Sequence, residues 1–194
     1  MANVYDVGQY ITELIPNVDK MKLYKLCYFS QGWNLAWTGR PLFKEPLQAW
    51  INGPVPVTLR DRSEPVAKED WAVPHIPGGD SANLTIAELH TVESVVNFYS
   101  DKDSIELSKI SHGKAWKEAR RNLPDNARSQ EELSMTTMRE EFTDLLHSES
   151  NTPSYPPYPL ENQIPENYSL ETALATIAKI KETWSGSLAL LATR

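Results

Sequence analysis

From Leu26 to Gly39 the chain carries no charged residue, although the stretch leading into that run holds three lysines, Lys20, Lys22 and Lys25. On a 3.6-residue period Leu23, Leu26, Cys27, Ser30, Trp33 and Trp37 fall on one face, while Met21, Tyr24, Tyr28 and Leu35 fill much of the other. A helix that is apolar on two sides is stable only when it is packed on both, so the segment predicts the central element of a mainly α domain. Asp19 is placed to cap its start, Gly39 to close it in the left-handed conformation, and Pro41 forbids its continuation.

Around this element the pattern predicts further helices. Val4, Val7, Ile11, Leu14 and Ile15 mark an inward stripe over residues 4–15, closed by Pro16-Asn17, so that the first two helices form a hairpin. Leu47 to Val57 reads as a short extended piece, a tight turn at Asn52-Gly53-Pro54 and a short helix, with Pro54 and Pro56 excluding a central strand. Residues 63–83 read as a loop with room for one edge strand, anchored by Trp71, Val73 and Ile76. Thr85 and Glu88 have capping-box spacing before a helix over 85–100 that turns Ile86, Leu89, Val92, Val96 and Tyr99 to one side. Asp101 and Asp103 suit the start of a helix near Ser104, which carries Ile105, Leu107 and Ile110. A short helix around Ala115, Trp116 and Ala119 ends before Pro124, and a last one spans Met135 to His147.

The chain changes character after residue 147. Pro153, Pro156, Pro157, Pro159 and Pro165 stiffen a linker over 148–168, because each proline fixes its torsion and removes a donor. Ser169 then opens an amphipathic helix within 169–194, where Leu170, Leu174, Ile177 and Trp184 form an apolar stripe opposite Glu171, Lys179 and Glu182. The organisation expected is one compact helical domain over 1–147 with a short extended segment, a linker, and a C-terminal helix suited to binding something or to packing back on the domain.

Charge and composition exclude several classes. The formal charge is −7, with sixteen basic against twenty-one acidic residues in 1–146 and three against five thereafter. A nucleic-acid binder needs a basic stripe, and the cluster Lys114, Lys117, Arg120, Arg121 is interrupted by Glu118. Cys27 is alone, so no disulfide framework or cysteine-rich metal site is available and a reducing cytoplasm fits. The first residues lack the basic-then-apolar order of a signal peptide, and the uncharged run is shorter than the roughly 20 residues of a membrane span. Phosphate loops, nucleophile elbows and paired metal-ligand histidines are absent from the sequence, and no cofactor is expected. His90 with Glu93 is a spacing common on any helix face. His112 is the best polar candidate, read as an imidazole that fixes a turn; acid-base work would need a second tuned group near it.

Three further segments carry a resemblance. The run KMKLYKLCYFSQGWNLAWTGRPLF (20–43), which includes Lys25, Leu26, Gln31 and Gly32, is followed by Trp50, Gly53, Pro54 and Val55, and then by the box Ser111 to Arg120 with His112, Trp116 and Arg120. In this order the blocks resemble the Panacea domain, the SocA-like or phage-associated GepA-like antitoxin family. Ala115 stands where that family usually carries proline. The resemblance implies a non-enzymatic antitoxin that neutralises a cognate protein toxin, encoded by the adjacent gene, by direct contact. An alternative it implies is an adaptor that delivers the toxin to a ClpXP-like protease; a third reading is an enzyme centred on His112. Leu170, Leu174, Ile177 and Trp184 are the expected toxin anchors, and the motif residues are expected to be architectural.

Overall fold

In the computed structural model the central helix, α2 (Lys20–Thr38), begins where the Asp19 carboxylate accepts from the amides of Met21 and Lys22, and ends at Gly39 with a φ of 69°. Every residue from Leu23 to Leu35 is buried. Helices α1 (Val4–Leu14), α3 (Val57–Ser63), α4 (Ile86–Tyr99), α5 (Ser104–Ile110) and α7 (Met135–Ser148) all pack against it, which accounts for an element with no solvent face. The fold is mainly α, with α6 (Lys114–Ala119) seated on α7. The structure describes residues 2–121, 123–124, 126–148 and 151–156. The chain divides into two units, Met1–Pro157 and Tyr158–Arg194, and the expected helix bearing Leu170, Leu174, Ile177 and Trp184 lies outside the described residues.

The extended segment is a full hairpin. Strands β2 (Leu47–Trp50) and β3 (Gly53–Pro56) pair antiparallel around the two-residue turn Ile51-Asn52, with Leu47 opposite Pro56 and Ala49 opposite Pro54. The sequence pattern gave only one strand here, since two prolines argue against a ladder. They are tolerated because Ala49 donates outward to the Glu131 carbonyl (2.8 Å) and the Leu47 carbonyl accepts outward from Leu133 (2.8 Å). Pro54 and Pro56 therefore face residues that ask no amide of them. A second sheet, β1 (Val18–Asp19) with β4 (Ala72–Val73), ties the start of α2 to the 63–83 loop.

The capping box of Thr85 with Glu88 forms as its spacing predicts, and Asp103 caps α5 as expected, in a box completed by Glu106. Two residues expected inward are exposed: Leu14 and Ile86. Each lies on a helix packed along one narrow face, so a stripe read at full width overreaches. Trp71 is also exposed rather than an anchor, whereas Val73 and Ile76 are buried.

The deepest packing is aromatic. Phe142 of α7 meets Tyr28, Phe29 and Trp33 of α2 at ring-centroid separations of 5.5, 6.3 and 5.3 Å, edge-on in each case. Gly32 lies under that ring, and a β-carbon there would overlap it. Gly32→Ala therefore forces the Phe142 ring out of place, and we expect it to destabilise the domain by about 1–3 kcal/mol, read as a lower urea midpoint.

Candidate functional site

The motif residues that lie apart in sequence meet where α2 crosses the β2–β3 hairpin. Lys25 is 1% exposed, and its ammonium donates to the Pro54 carbonyl at 2.8 Å. Burial lowers its pKa to about 7. Gly53 follows the hairpin turn with a φ of 91°, and a β-carbon there would overlap the Ser111 hydroxyl and press on the lysine amine. Ser111 donates to the Ser108 carbonyl (2.7 Å), and Ser108 donates to the Asn52 carbonyl (2.9 Å), so the end of α5 is fastened to the hairpin turn.

The second half of the cluster comes from α6. The Trp116 indole donates to the Trp50 carbonyl at 2.8 Å, and His112 lies flat on its ring at 3.9 Å between centroids. Arg120 sits 4.5 Å from the same ring and is 1% exposed. Its guanidinium donates to the carbonyls of Ala49 (3.2 Å), Pro124 (2.7 Å) and Ala127 (2.7 Å), a three-way clamp that uses the planar fork of arginine. Glu141 of α7 accepts from the Ala115 amide (2.6 Å) and the Tyr28 hydroxyl (3.2 Å); its burial raises its pKa, and Gly113 leaves it room. Gln31 accepts from the amides of Leu42 and Phe43 and donates to the Phe43 carbonyl, holding the loop after α2.

The structure thus brings together Lys25, Trp50, Gly53, Pro54, His112, Trp116 and Arg120, with Val55 buried beside them and Leu26, Gln31 and Gly32 spaced along the same helix. The polar atoms of Lys25, Gln31, Trp116 and Arg120 are directed at backbone carbonyls and amides, which is the chemistry of a clamp. Sequence reasoning missed Tyr24 and Glu141 as members, and named Ser111 only as the first residue of the motif box. Tyr24 shares a hydrogen bond with Ser63 at 2.9 Å, and burial pushes its phenol up to about 12. Only the tertiary fold gives these residues partners. Cys27 is fully buried and its thiol is pushed well above the usual range, so it is an inert core residue. Among the described residues no group of three or more His, Cys, Asp or Glu is arranged to hold a metal, and no helix is long and apolar enough to cross a membrane.

Beside the clamp, Trp71 is 52% exposed with a φ of 66°. A bulky residue in the left-handed region costs on the order of 1–2 kcal/mol, and exposure returns little of it. Its backbone is held by hydrogen bonds from its amide to the Lys68 carbonyl and from the Lys20 amide to its own carbonyl.

Fold and clamp together define a compact, mainly α domain. Residues 23–117 match the family described as "Antitoxin SocA-like, Panacea domain", so this stretch of the chain is similar to an antitoxin-type domain. No curated protein and no solved structure matches the chain.

Two substitutions test the clamp. Arg120→Lys replaces the planar fork that reaches three carbonyls, the buried one of Ala49 among them, and a loss of about 1–3 kcal/mol is expected in denaturant melts. For Lys25 the folded pKa of about 7 lies below the ordinary value of 10.5, so between them the unfolded chain binds more protons and stability rises with pH. The wild type should gain on Lys25→Met as pH rises from about 7 to about 9, at up to about 1.4 kcal/mol per unit. Urea midpoints of both proteins across that range check the sign.

Proposed function

We propose that the protein is an antitoxin that neutralises a co-expressed protein toxin, encoded beside it, by binding it directly. The observation that carries this reading is the use of the motif residues. Lys25, Gln31, Trp116 and Arg120 reach backbone groups of their own chain, so they build a rigid frame and leave recognition to the surface around it. The match to the antitoxin family over residues 23–117 supports the same reading.

In this mechanism the C-terminal segment supplies a helix that lies in a groove of the toxin, with Leu170, Leu174, Ile177 and Trp184 as anchors. The net charge of −7 favours encounter with a basic toxin without demanding one.

Co-expression with the product of the adjacent gene tests the proposal. A stoichiometric complex on size exclusion, together with restored growth, is expected; restored growth with no complex would rule out direct binding as the mechanism. Leu174→Asp combined with Ile177→Asp in the full chain should weaken the complex at least tenfold by calorimetry. Unchanged affinity would sink the anchor role of the tail.

A further inference from the structure

Beyond α7 the chain returns to the surface of the domain. Pro153 and Pro156 are buried there, while Ser154 and Tyr155 between them are exposed. Residues three apart share a face of a polyproline II helix, so this burial pattern is that of a Pro-x-x-Pro segment laid on a surface by its two prolines. A chain in that conformation makes no internal hydrogen bonds, and its carbonyls need donors from outside. The Ser94 hydroxyl of α4 supplies one, to the Ser154 carbonyl, and the Tyr155 ring meets the Trp37 ring of α2 edge-on at 5.7 Å between centroids.

The receiving surface is the outward side of α4. Thr91, Val92, Val95, Val96 and Tyr99 are its buried residues, whereas His90, Ser94 and Phe98, one turn apart, line an open groove of about 590 Å³ whose other wall is Thr152 and Ser154 to Pro156. The segment therefore lies on helices whose inner faces are already packed. It can leave them without opening the core.

We propose that the surface formed by Trp37 and the outward side of α4 is a recognition site for an extended proline-rich segment, and that its ligand is the chain's own Pro153-Ser154-Tyr155-Pro156. The two prolines make a pre-shaped ligand with little conformational freedom to lose, Trp37 offers an aromatic contact for the tyrosine, and Ser94 donates to the backbone between the prolines. The linker after α7 is thereby fastened at its root. This site shares no residue with the clamp and stands whether or not the chain is an antitoxin.

NMR of the full chain tests the site. A nuclear Overhauser effect between the Trp37 and Tyr155 rings is expected in the wild type. Pro153→Gly combined with Pro156→Gly should abolish it and shift the Ser94 and Trp37 signals while thermal unfolding of the helices is unchanged, since glycine removes the fixed torsions of the ligand and touches nothing in the core. A peptide with the sequence of residues 151–156, added to that variant at millimolar concentration, should return both signals toward their wild-type positions, and the same peptide with glycine in place of both prolines should not. Adding Ser94→Ala to the vacated chain should weaken peptide binding about twofold to tenfold, the worth of one hydrogen bond. The wild type should not respond to the peptide, because its site is filled by a ligand on the same chain. If the ring contact is absent from the wild type or survives in the glycine variant, or if the peptide leaves the vacated chain unshifted, the site assignment is wrong.

Discussion

The structure depends on one helix that spends the polar ends of its buried side chains on other segments. Along α2, Tyr24 reaches Ser63 of α3, Lys25 reaches the Pro54 carbonyl of the hairpin, and Tyr28 reaches Glu141 of α7. Further on, Gln31 holds Leu42 and Phe43, Trp33 donates to the Tyr99 hydroxyl, and Asn34 donates to the Arg40 carbonyl. A buried polar group is costly unless paired, and the irregular segments offer the backbone atoms that pair it. The bonds of Lys25, Gln31 and Asn34 each remove two liabilities, one on the helix and one on an irregular segment or hairpin, and those of Tyr24, Tyr28 and Trp33 pair with side chains of neighbouring helices.

This economy explains why the motif blocks, apart in the chain, meet at one place in the fold. A lysine in the core of a helix is tolerable only if a carbonyl is brought to it, and the Gly53-Pro54 turn brings one by lying so close that a side chain at 53 would not fit. Trp116 and Arg120 then hold the other strand of the same hairpin through the carbonyls of Trp50 and Ala49. The hairpin is gripped from both sides, and its turn projects Ile51 into solvent next to Trp71.

Much of this was legible in the chain. The uncharged run, the caps at Asp19, Gly39, Thr85 and Asp103, and the order of the helices all follow from local rules of spacing and backbone satisfaction. The second strand was not legible, because proline reads as a strand breaker until one knows which side of the ladder each residue faces. Leu14 and Ile86 were expected inward on periodicity, yet periodicity states the direction of a face and not the width of what covers it. Trp71 misled for a similar reason: a lone tryptophan in a polar loop suggests an anchor, and its left-handed backbone is invisible in the sequence.

The sequence by itself determined that a doubly apolar helix sits at the centre of a mainly α domain and that a recognisable set of residues accompanies it, since these depend on interactions a few residues apart. Only the tertiary structure decided that Lys25, Trp116 and Arg120 grip one hairpin, and that Glu141 joins them from α7. Those partners lie between roughly 30 and 110 residues apart in the chain, and no local pattern encodes a contact whose energy exists only once both segments are packed against the same helix.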